Sequence, residues 1–151
     1  MDSAAGAPRP NSAEMFLLDT NVVSELRKRR PHPAVVAWLN AVPENDLHLS
    51  AVTIGELQAG VEITRRQDAA KAMEIEAWLD QVAETWNVLP MDARTFRCWA
   101  QLMHQRGDEL LEDAMIAATA AVHGLTVVTR NLRDFRPFEV PTLDPFTARP
   151  G

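Results

Sequence analysis

Short apolar runs separated by helical stretches set the frame for this chain. Phe16–Leu18 (FLL) ends on Asp19, and Leu125–Thr129 (LTVVT) is rich in β-branched residues, so both read as buried strands. "DLHLS" (46–50) alternates like a half-buried strand, and "NVLPMD" (87–92) gives another short one. "FEVPTLD" (138–144) is an edge strand, since Pro141 cannot donate to a central ladder. Short apolar strands that alternate with helices imply an α/β fold, a parallel sheet covered on both faces. In such sheets ligands bind beyond the C-terminal ends of the strands. Asp19 stands at one such end, and Asp134 follows a few residues after another.

The helical stretches punctuate themselves. "TNVVSELRKRR" closes at Pro31, and "PHPAVVAWLNAV" places Val35, Val36 and Leu39 towards the core. Ser50 caps "AVTIGELQAGVEIT". Residues 66–86 form a long amphipathic helix with Met73, Ala77 and Val82 inward. "ARTFRCWAQLMHQRG" is stopped by Gly107, and "EDAMIAATAAVHG" by Gly124. Residues 14–146 read as one domain, with a disordered tail at 1–13 and a short C-terminal tail at 147–151.

Several acids have plain structural roles open to them. Asp19 and Asp113 suit helix starts, and Asp134 in "TRNLRDF" suits a turn. Glu56 is less easily explained. On its helix Ile54, Leu57 and Val61 make one apolar stripe, and Glu56 lies opposite, among Val52, Ala59 and Ile63. A helix apolar on two sides is buried on two sides, so Glu56 is expected at a largely buried position, costly without a partner. All four acids together would crowd one edge of the sheet. Carboxylates so gathered repel, and one takes up a proton unless a cation neutralises them. Oxygen ligands without Cys or clustered His select Mg²⁺ or Mn²⁺. Such an ion with open coordination positions suits phosphodiester hydrolysis.

The order and content of these segments resemble the PIN-domain ribonucleases, specifically the VapC and FitB toxins of bacterial toxin–antitoxin pairs. The resemblance rests on "LLDTNVVSEL", "LSAVTIGELQAGV", "EDAMIAATAAVHGLTVVTRN" and "TRNLRDF", and spans Phe16 to about Asp144. It implies a three-layer α/β/α domain around a parallel sheet of about five strands, and a Mg²⁺-dependent endoribonuclease, Mn²⁺ being a possible substitute. It puts Asp19, Glu56 and Asp113 at the metal-site positions and Asp134 at the fourth acidic position. Asn21, Thr129 and Asn131 then line the site. A homodimer or higher assembly is implied, blocked by a VapB- or FitA-like antitoxin and reaching operator DNA only through it.

Charge and composition narrow the remaining choices. A net charge of −6 does not suit bulk electrostatic capture of nucleic acid, so local basic groups must attract RNA. Arg130 and Arg133, at the expected site rim, are the candidate phosphate contacts, whereas Arg27–Arg30 reads as a solvated charged face. The single Cys98, the lack of a membrane-length apolar stretch and a start without an apolar signal core lead to the expectation of a cytoplasmic protein without membrane contact. An aspartyl-phosphate phosphatase wants a second Asp where Asn21 stands, and a receiver-like domain wants a lysine after "LTVVT". An inactive module binding only antitoxin and operator DNA is disfavoured by four intact acids.

Overall fold

Five parallel strands form one sheet in the order β3-β2-β1-β4-β5: β1 (Phe16–Leu18), β2 (Leu47–Ser50), β3 (Asn87–Leu89), β4 (Thr126–Val128) and β5 (Thr142–Leu143). The structure is a computed structural model that describes residues 14–147. The expected tail at 1–13 and positions 148–151 of the expected C-terminal tail lie outside the described residues. Phe16 registers with Leu47 on one side and Thr126 on the other, and Leu18 with Leu49 and Val128. β5 is an edge strand, as Pro141 requires.

Alternate residues of β1 serve opposite layers, which is why its three residues are all apolar. Phe16 and Leu18 pack with Val22 and Val23 of α1 (Thr20–Glu25), Val35 of α2 (Pro33–Ala41) and Val82 of α4 (Ala69–Thr85). Ile54 and Leu57 of α3 (Ala51–Gln67) join that layer. Leu17 faces the other way, onto Ala114, Ile116 and Ala117 of α6 (Leu111–His123) and Phe135 of α7 (Leu132–Phe135). Trp99 and Leu102 of α5 (Ala93–Met103) complete that side. The result is the expected three-layer α/β/α arrangement. Among the described residues, no helix is long and apolar enough to cross a membrane.

Three helix boundaries depart from the sequence reading. The long helix starts at Ala69 rather than Arg66, because Asp68 interrupts the chain and its carboxylate accepts Lys71 N–H at 3.0 Å. Met73 and Ala77 are exposed, and Ala72 and Leu79 face inward instead. α1 ends at Glu25, five residues before Arg30, so the basic run is a turn and not a helix. α5 ends at Met103, and Gln105, not Gly107, takes the left-handed conformation with φ 64°. Gly124 closes α6 at φ 68°, as expected of glycine there.

Candidate active site

The carboxylate of Asp19 is presented by the end of β1, where its own N–H is tied to the carbonyl of Val128 in β4 at 2.9 Å. It is 5% exposed. Oδ1 accepts the N–H of Thr20 at 2.8 Å, so the helix-cap role is real. Oδ2 accepts from Thr129 Oγ1 at 2.8 Å and from Asn21 Nδ2 at 3.2 Å. Burial pushes the Asp19 carboxyl up from its ordinary range, and the Asp134 charge adds to this. The bonds from Thr129, Thr20 and Asn21 pull the other way, with a net rise.

Thr129, fully buried after β4, organises the lining residues. Its hydroxyl also accepts from Asn21 Nδ2 at 3.2 Å and from the N–H of Asn131 at 2.9 Å. Asn21 Oδ1 in turn accepts the N–H of Arg130 at 3.1 Å. Asn131 is exposed and contributes through its backbone: its carbonyl accepts the N–H of Asp134 at 3.1 Å, in the first turn of α7.

Glu56 reaches the site from α3, whose start is fixed by Ser50 accepting the N–H of Val52 at 3.0 Å. It is half-buried, not largely buried, because Ala59 and Ile63 of its stripe face solvent. Thr20 Oγ1 donates to Glu56 Oε1 at 2.5 Å and also meets Thr53 Oγ1 at 3.2 Å. The sequence reading did not single out Thr20. Its signal was a hydroxyl directly after the strand-end aspartate. Burial raises the Glu56 carboxyl, the Thr20 bond opposes this, and the charges of Asp19 and Glu112 raise it further.

Asp113 is the outlier. α6 starts from Leu110 with no side-chain cap, so Asp113 does not hold the helix start as a capping acid would. It is half-buried and accepts no hydrogen bond among the described residues. Its carboxyl is pushed up to about 7, by burial first and then by Asp19, Asp134, Glu56 and Glu112. The side-chain charges that raise it are all carboxylates.

The structure therefore brings Asp19, Glu56 and Asp134 within electrostatic reach of Asp113, with Asp19 also reached by Asp134 and Glu56 by Asp19. Among the described residues, no three acids, histidines or cysteines are already gathered tightly enough to hold a metal ion. The set is one that repels itself and that a cation would draw together. Its donors are all oxygen and its charge deficit is unmet, which fits a hard divalent cation such as Mg²⁺ or Mn²⁺. Arg133 is exposed on α7, whereas Arg130 lays its guanidinium over the Phe146 ring at 3.8 Å. A cavity of about 460 Å³ lies at the other end of the strands, lined by Leu39, Leu47, Trp86 and Asn87 and by none of the acids.

Known proteins share this sequence pattern and fold. The PIN domain family model matches residues 16–139. A VapC ribonuclease, Y4jK of Sinorhizobium fredii, is 41% identical over 138 residues, covering 86% of this chain and 94% of that one. The crystal structure of FitAcB from Neisseria gonorrhoeae contains a chain 32% identical, with a TM-score of 0.73, covering 89% of this chain and all (100%) of its own. DNA-bound VapBC from Salmonella typhimurium contains one 25% identical, with a TM-score of 0.68, covering 87% of this chain and 98% of its own.

Proposed function

The chain belongs to the PIN domain family, and from that premise we propose that it is the toxin of a toxin–antitoxin pair, a Mg²⁺-dependent endoribonuclease in which Mn²⁺ can substitute. The observation that carries this reading is Asp113, half-buried, without a hydrogen bond among the described residues and raised by burial and by the charges of Asp19, Asp134, Glu56 and Glu112. Asp19, Glu56 and Asp113 would hold the ion, with Asp134 adding charge from α7. Such an ion, when bound, makes water a nucleophile at neutral pH and stabilises charge on the phosphoryl oxygens.

The chain's own residues prepare that site. Thr129, Asn21 and the Thr20 N–H bond to the ionised form of Asp19 and fix its orientation. Thr20 Oγ1 does the same for Glu56. Asp113 carries a proton part of the time at neutral pH, and it releases that proton when a cation binds. Arg133 is exposed on α7 and meets substrate phosphates, with Arg130 beside the site.

A VapB- or FitA-like antitoxin covers the acid site, and operator DNA is reached only through that partner. The likeness to FitAcB and to DNA-bound VapBC supports this assignment. The toxin is a homodimer that acts on RNA in the cytoplasm, and light scattering showing only monomer at micromolar concentration would contradict the dimer. The decisive assay is RNA cleavage by the purified, antitoxin-free protein. Cleavage is expected in Mg²⁺ and not in excess EDTA, and Asp19→Asn is expected to abolish it while circular dichroism stays unchanged. Full activity in EDTA would overturn the reading.

A further inference from the structure

Four consecutive cations, Arg27, Lys28, Arg29 and Arg30, follow α1 in a chain of net charge −6. They form a turn that the fold holds at two points. Glu25 is 5% exposed, and its carboxylate accepts the N–H of His32 at 2.9 Å and Lys28 Nζ at 2.5 Å. One buried acid thus pins both the middle and the far end of the turn. Arg27, Arg29 and Arg30 are exposed and have no ion-pair partner among the described residues.

The second fastening leads to the acid site. His32 meets the ring of Phe146 edge-on at 5.3 Å, and the Arg130 guanidinium stacks on the same ring at 3.8 Å. Arg130 directly follows Thr129, the donor to Asp19, and its N–H is held by Asn21. The Arg130 charge also reaches Glu25, whose carboxyl is held below its ordinary range by Lys28 first and by Arg130 last. At 1.5 Å per residue, the six residues of α1 separate Asp19 from the turn by roughly 9 Å. Holding like charges side by side costs about 1 kcal/mol per close pair even in water. A polyanion lying across them removes that cost.

We propose that the turn Arg27–Arg30, together with Arg130, is a phosphate track for single-stranded RNA, in which Arg27, Arg29 and Arg30 each neutralise one backbone phosphate of a strand whose scissile bond lies at the acid site. This rests on the ribonuclease reading and adds to it the course of the bound strand. RNA is favoured over an acidic protein segment because its phosphates repeat at a regular spacing along one strand that can span the turn and the acid site together.

The test compares Arg27→Gln/Arg29→Gln/Arg30→Gln with the parent, both carrying Asp19→Asn to stop cleavage. Binding of mixed-sequence single-stranded RNA in Mg²⁺ is followed by fluorescence anisotropy across a salt series. At about 0.7 per phosphate, loss of three contacts lowers the slope of log Kd against log salt by about 2 and raises Kd roughly 10- to 50-fold near 0.15 M salt. Lysine at the three positions restores the slope, since a point charge suffices. An unchanged slope, with wild-type protein cleaving the same RNA pool, overturns the track alone. Failure of wild type to cleave any RNA overturns the ribonuclease reading and the track with it. Weakened binding of polyglutamate with an unchanged RNA slope assigns the turn to a protein partner and also overturns the proposal.

Discussion

Removing one negative charge from the acid site should stabilise the metal-free protein, and Asp113→Asn is the clearest case. The folded protein holds the Asp113 proton up to about pH 7, against an ordinary value of 3.8. An acid whose folded value is raised favours the folded state fully below its unfolded value, and that advantage is lost as pH rises through the folded one. At about 1.4 kcal/mol per pH unit, the ceiling of this loss is about 4 kcal/mol. Asp113 is only half-buried, so solvent screening reduces it to about 2 kcal/mol. For a chain of this size, that corresponds to a rise in Tm of about 4–8 °C for Asp113→Asn at pH 8 in EDTA. At pH 4 the two proteins should melt nearly together. Thermal melts followed by circular dichroism at both pH values decide the matter. An Asp113→Asn protein that melts at or below wild type at pH 8, or gains equally at both pH values, would refute the electrostatic account of the site.

Two further substitutions probe the same cluster. Glu56→Gln should raise the metal-free Tm by a smaller amount, nearly eliminate cleavage and shrink the stabilisation gained on adding Mg²⁺, since ion binding to the folded state supplies that gain. Normal cleavage with an unchanged Mg²⁺-induced shift would remove Glu56 from the site. Thr129→Val deletes the hydroxyl that donates to Asp19 and receives from Asn21 and Asn131, at a stability loss of about 1–3 kcal/mol in chemical denaturation. Because the Thr129 bond does most to hold the Asp19 carboxyl down, its removal should also shift the pH profile of cleavage to higher pH. An unaltered profile would contradict the role given to Thr129.

The parts of the fold legible in the sequence were those fixed by burial on both faces. Phe16–Leu18 had to be a central strand because its residues serve two layers, and Pro141 had to lie at an edge. Local charge chemistry hid the rest. Asp68 starts the long helix inside a polar stretch that carries no apolar signal, so the boundary read at Arg66 falls three residues early. The basic run follows helical residues, and only the distant partners of Glu25 and Phe146 show that it is a turn. Glu56 was identifiable as misplaced, but the second stripe that suggested deep burial faces solvent beyond Val52. Asp113 looked like a helix-capping acid, and its true isolation depends on where Leu110 begins the helix. Thr20 gave only the weak signal of a hydroxyl after Asp19, since its partner Glu56 lies 36 positions away.

The proposed activity requires that these acids share one divalent ion. Crystals of the antitoxin-free protein grown with Mn²⁺, measured at a wavelength where manganese scatters anomalously, test this directly. An anomalous peak bound by Asp19, Glu56 and Asp113 is expected, with carboxylate oxygens at about 2.1 Å, and Asp19→Asn is expected to lose it. An ion held elsewhere on the molecule, or an empty acid site at saturating Mn²⁺, would contradict this requirement.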